Sequence, residues 1–188
     1  VFITKELLIE KGACSSGLIS FEEHFPHGGD YQSILDKLAE ENHREYALWL
    51  LHNFGNLDTV LETDELTIET SLFFAGRVVV KGAIKVARCL ISGWGIEAGE
   101  GIEAGWGIEA GRGIKAGWGI KAGEGIKAGS GIKAGEGIEA GCDFGIYAGL
   151  RIRISHKKQY AVIRAKEEPV NIVCGEYIKT EEKRENIV

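Results

Sequence analysis

The sequence predicts an α+β protein: a small N-terminal helical unit followed by a parallel β-solenoid of six-residue repeats. Three observations predict it. The unit Gly-Ile-Glu/Lys-Ala-Gly-x recurs without a slip from Gly95 to Gly141. Before residue 55 the apolar residues follow the three-and-four spacing of amphipathic helices instead. Glycine is the compositional anomaly, 27 of 188 residues against two prolines. Collagen would need Gly at every third position with abundant Pro, and a flexible linker would carry no periodic aliphatic residue. The chain divides into an acidic helical head over 1–65, a solenoid over 66–155, and a basic hairpin with a C-terminal tail over 156–188.

In the head, the first eleven residues are ambiguous between helix and strand. A helix is expected from Ser16 to Phe25, before the breaker Pro26-His27-Gly28-Gly29. Asp30 can cap a helix whose apolar stripe is Tyr31, Ile34, Leu35 and Leu38. Asn42, with Glu45 three residues later, reads as a capping box opening a helix through Tyr46, Ala47, Leu50, Leu51 and Phe54. Gly55 is placed to end it. A unit of about 55 residues is marginal alone, so it is expected to pack on the rest of the chain, with Trp49 as a packing residue.

In the repeat, Ile stands at 96, 102, 108, 114, 120, 126, 132 and 138, and Ala follows two residues later each time. Side chains two apart on a strand share a face, so Ile and Ala point inward and the intervening Glu or Lys meets water. Glycines at each corner permit a positive φ or close approach of the next coil. The phase continues backward through Leu90, Ile84, Val78 and Leu72. Forward it gives Phe144 with Ile146 and Leu150 with Ile152, making fourteen hexads from 72 to 155, with Leu66 and Ile68 as a fifteenth.

This pattern resembles the hexapeptide-repeat proteins, through its period and its one aliphatic residue per hexad. The resemblance implies a left-handed β-helix with three sides per turn. The sequence departs from that family in placing the small residue two positions after the aliphatic one rather than two before. Corner residues Arg88, Trp94, Glu100, Trp106, Arg112, Trp118 and Glu124 put Trp at every second corner, which favours a two-sided coil with a tryptophan ladder. Strand charges read every third hexad, as in Glu97, Lys115 and Lys133, argue for three sides. Two sides are favoured and three remain open. The head is similar to short helical segments that precede repeats in uncharacterised bacterial or prophage proteins, through Ala13-Cys14 and Tyr46-Ala47-Leu48-Trp49-Leu50-Leu51.

The net charge of −6 is unevenly spread: residues 1–65 carry 4 basic and 13 acidic side chains, and residues 66–149 carry 9 of each. Arg151, Arg153, Lys157, Lys158, Arg164 and Lys166 form a basic patch without an acid among them. It is read as a solvated hairpin or a dock for the acidic head; overall acidity speaks against nucleic acid as a partner. Trp94, Trp106 and Trp118 are the candidate binding residues, as an edge for a protein partner or for self-association.

Other chemistry is sparse. His24-x-x-His27 near Cys14 lacks the tightly paired ligands of a zinc site, and no Cys-x-x-Cys occurs. Cys14 and Ser16 have no base beside them in sequence. No Gly-Lys-Ser/Thr follows the Gly-x-Gly units. No catalytic residue, metal or cofactor is therefore expected. No apolar run reaches membrane-span length, no secretory signal opens the chain, and four isolated cysteines suit a reducing cytoplasm. The expected function is a non-catalytic interaction or scaffold protein. The alternatives are a bacterial or prophage accessory factor, defence- or toxin-related, and the transferase that the hexapeptide resemblance implies. Such enzymes place a histidine near the coils, whereas residues 53–155 contain none.

Overall fold

The structure, a computed structural model, describes residues 1–151 and 156–180. The head contains α1 (Lys5–Glu10), α2 (Ser15–His24), α3 (Tyr31–Glu40) and α4 (Arg44–Phe54). Its ambiguous start is both strand and helix: β1 (Phe2–Ile3) pairs antiparallel with β2 (Gly29–Asp30), and Thr4 then caps α1. Asp30 caps α3 as expected, its carboxylate accepting from the Gln32 amide at 3.0 Å. Asn42 does not open a capping box. It takes a left-handed φ of 60°, which Asn tolerates better than most residues, and so turns the chain between α3 and α4. Its side chain accepts a hydrogen bond from the Ser71 hydroxyl at 3.0 Å instead.

The solenoid begins at β3 (Val60–Thr63), β4 (Leu66–Ile68), β5 (Leu72–Phe74), β6 (Arg77–Val80), β7 (Ile84–Val86) and β8 (Leu90–Ser92). One strand per hexad continues it, from β9 (Ile96–Ala98) through β10 (Ile102–Ala104), β11 (Ile108–Ala110), β12 (Ile114–Ala116), β13 (Ile120–Ala122), β14 (Ile126–Ala128) and β15 (Ile132–Ala134) to β16 (Ile138–Glu139). After β17 (Ile146–Ala148) come the short helix α5 (Lys157–Tyr160), β18 (Val162–Ala165), β19 (Ile172–Cys174) and β20 (Glu176–Lys179).

Every third strand pairs in parallel, and Ile102 lies opposite Ile120, so one coil is 18 residues long. The coil therefore has three sides, not the favoured two. Sheets of five, six and seven strands make about six turns. Corner geometry gives the physical reason. A two-sided coil must reverse direction within each Gly-x-Gly, and tight reversals call on left-handed φ. None of the glycines from Gly95 to Gly141 has one. The chain bends at each corner rather than reversing.

The glycine after each Ala is required by proximity. A Cβ on Gly117 would overlap the backbone carbonyl oxygen of Gly99 in the preceding coil. The glycine before each Ile is looser: a Cβ on Gly119 would rest 3.5 Å from the Gly137 oxygen, an ordinary contact. Ile and Ala line the core as expected, each central pair almost fully buried.

The phase does not run on to 155. Two extra residues enter at 141–145, so Ile146 pairs with Ile126 at a spacing of 20 residues, and the inward pair becomes Ile146 and Ala148. Phe144 and Leu150 are 45% and 51% exposed rather than in the core; Ile152 lies outside the described residues. Asn171 holds the insertion, its amide donating to the carbonyls of Gly141 and Phe144 at 3.0 and 2.9 Å. The solenoid also outruns its expected limits at both ends. The hairpin expected over 156–188 is replaced, among the described residues, by β18 and β20, which pair in parallel and continue the seven-stranded sheet.

The head lies on the six-stranded face. The outward position is Glu or Lys in every strand from β9 to β16, but in β5 and β8 it is Phe73 and Ile91, adjacent across the sheet and fully buried. Together with Ala75 and Cys89 they share one apolar core with Tyr31, Leu35, Ala47, Leu50 and Leu51. The Gln32 side chain completes the edge of β5, donating to the Phe73 carbonyl at 2.8 Å and accepting from the Ala75 amide at 2.9 Å. An open strand edge is thereby satisfied by a side chain. Arg44, at the start of α4, reaches Glu109 and Glu124 at 3.7 and 3.3 Å. The acidic head is thus held by apolar contacts and by one of its few cations.

Candidate functional site

Two regions offer binding surfaces: the head and the solenoid corners. In the head, α1 packs on α2 and α3 on α4. Between the two pairs lies a cleft of about 600 Å³. Leu8, Phe21, Phe25, Tyr46, Leu48 and Trp49 supply most of its apolar wall. Trp49 does pack on the head core, edge-on to Phe54 at 6.3 Å, and it faces the cleft as well. Sequence reasoning missed this cleft, because no periodicity records the space between two helix pairs.

The cleft rim is polar. His24 of α2 meets Glu41, just past α3, at 2.9 Å, and Lys37 meets the same carboxylate at 3.2 Å. Desolvation works against the Glu41 carboxylate, yet the Lys37 hydrogen bond and the nearby His24 and His43 hold its pKa below the ordinary value. Cys14 stands at the mouth as the N-cap of α2. Its hydrogen bond with the Ser16 hydroxyl, at 3.3 Å, and the Gly17 amide draw its thiol pKa down. Burial pushes the thiol of Cys89, beneath the head, up. Among the described residues, no group of three or more His, Cys, Asp or Glu side chains is placed to hold a metal ion. No helix there is long and apolar enough to cross a membrane.

With three sides, Trp94, Trp106 and Trp118 fall on three different corners and form no common edge. Each joins a column of residues 18 apart, linked by backbone hydrogen bonds: Trp94–Arg112–Ser130, Arg88–Trp106–Glu124 and Glu100–Trp118–Glu136. Arg112 lies over the Trp94 ring at 3.9 Å and Arg88 over Trp106 at 5.8 Å. The alternation that favours a tryptophan ladder in sequence instead places two tryptophans beside arginines.

The basic patch is divided. Arg164 projects from β18 beside Lys133, which neighbours Lys115, giving three successive cations on the seven-stranded face. Arg151 lies along a corner, its amide donating to the Gly129 carbonyl at 2.9 Å. Lys166 continues the third corner column, its amide on the Glu136 carbonyl at 2.8 Å. Arg153 lies outside the described residues, and Lys157 and Lys158 are placed only as part of α5. Glu97 offsets part of the charge: its hydrogen bond from Lys115, at 2.7 Å, outweighs desolvation and, with Arg77, lowers its pKa.

Residues 1–54 match the family model described as the YdhT N-terminal domain. The similarity ends at Phe54, the last residue of α4, so it covers the head and none of the solenoid. No curated protein matches the chain, and no solved structure does.

Proposed function

We propose that the protein is a non-catalytic interaction protein in which the solenoid is a rigid mount and the head cleft captures an apolar segment of a partner protein. The observation that carries this reading is the fixed seat of the head. Phe73 and Ile91, outward residues of adjacent strands, are fully buried beneath the head, so the two parts are built to hold one orientation. A cleft with an apolar floor and a charged rim then fits a segment that is apolar on one side and polar on the other. Against a transferase stands the wall chemistry of the solenoid grooves, which repeats Glu, Lys, Arg and Trp where a reaction needs several different groups converging on one point.

A photo-crosslinker attached to Cys14 tests the proposal in lysate of the source organism. A discrete protein adduct is expected, and Ser20→Arg, which projects into the cleft, should abolish it while leaving the helical circular dichroism unchanged. No adduct, or one that survives Ser20→Arg, contradicts the reading.

A further inference from the structure

The three corner tryptophans share a setting and differ in one respect. Trp94 and Trp106 each have an arginine of their own column over or beside the ring. Trp118 has a glutamate at both neighbouring positions of its column. Its amide donates to the Glu100 carbonyl and its carbonyl accepts from the Glu136 amide, both at 3.1 Å. Successive coils stack about 4.8 Å apart, so Glu100 and Glu136 flank Trp118 one coil to either side. Trp118 is 57% exposed, more than Trp106 at 40%. Among the described residues no cation lies over its ring and no ion pair engages Glu100 or Glu136.

The surroundings have the same sign. Trp118 borders a groove of about 670 Å³ along the five-stranded face, which also carries Glu103, Glu139, Glu167 and Glu168. Two lysines, Lys85 and Lys121, line it too, and Lys121 is drawn to Glu139 at 3.5 Å. Lys166 comes after Glu136 in the column, one coil further from Trp118. The negative face of an indole ring attracts a cation, and a carboxylate on each side strengthens that attraction. In the other two columns the chain supplies the cation itself.

We propose that Trp118, Glu100 and Glu136 form a docking site for an arginine or lysine side chain on a basic segment of a partner protein. The guest cation would take over the Trp118 ring the place that Arg112 takes over Trp94. This corner lies between the five- and seven-stranded faces, opposite the face that carries the head. The site does not depend on the cleft, and either can fail without the other.

The test is a titration of the full, ¹⁵N-labelled chain at low salt with a pentapeptide of alternating glycine and arginine, following the indole N–H signals. Trp118→Phe assigns the signal. A saturable shift is expected at Trp118 and not at Trp94 or Trp106. Trp118→Ala should weaken binding about tenfold, and joint Glu100→Gln and Glu136→Gln should weaken it and flatten its salt dependence. No saturable shift at Trp118, or equal shifts at all three tryptophans, overturns the proposal. A Trp118 shift that depends on protein concentration without peptide assigns the corner to a second copy of the chain, and likewise overturns it.

Discussion

Ile102 and Ile120 lie one above the other, each buried with the Ala two residues on. Tyr31 in the head has one place only: its ring is buried beside Phe54, and its hydroxyl donates to the Gly55 carbonyl at 2.8 Å. The solenoid gains stability by repeating one small solution, and its outward side chains are free to vary. The head gains stability from contacts that each occur once. The two meet at Phe73 and Ile91, where the repeat gives up its free position to the head. Identity matters for packing in the head and at this seam, whereas in the coils it matters at the inward pair and the close-approach glycine.

The sharpest way to break that contrast is at the seam. Phe73→Ala should cost about 3–5 kcal/mol, the usual loss for truncating a buried aromatic residue. Denaturant unfolding should show it, together with a head transition separated from that of the coils. A cost under about 1 kcal/mol would mean that the head is not seated there. Next in size is the corner. Gly117→Ala should cost about 1–3 kcal/mol, because its Cβ meets backbone that cannot give way. Gly119→Ala should fall within about 0.5 kcal/mol of wild type, and equal effects at both would undo the distinction.

The smallest effect belongs to the outward charges. Lys115→Ala should cost less than about 1 kcal/mol at neutral pH, since both partners of its pair with Glu97 are partly exposed. The Glu97 pKa is depressed in the fold. Its contribution is therefore present above the ordinary Glu value and lost as pH falls through the lower, folded one. The difference between Lys115→Ala and wild type should shrink on acidification; a growing difference would reverse the sign of the argument.

The inward Ile and Ala could be read from sequence because their spacing is local: a strand places residues two apart on one face whatever lies beyond it. The number of sides could not, because six divides both 12 and 18, and only pairing between distant strands separates them. The corner order then misled, since alternation by 12 and by 18 both yield regular columns. The insertion at 141–145 was hidden because Phe144 and Ile146 match the apolar pattern at the wrong phase. The seam was visible in Phe73 and Ile91 at outward positions, yet Val79 and Tyr147 break the charge pattern too, and an exception does not say what covers it. The cleft and the glutamate-flanked setting of Trp118 arise from packing and stacking across many residues, which sequence spacing does not show.

The central claim is that the head is fixed to the coils, and Cys89, buried in the seam, reports on it directly. Alkylation of the native protein, tracked residue by residue by mass spectrometry, should modify exposed Cys14 quickly, helped by its lowered thiol pKa. Cys89 should react only on global unfolding, with a denaturant midpoint equal to that of the coils. Labelling of native Cys89 at a rate near that of Cys14 would show the head swinging free, and the mount would not be one.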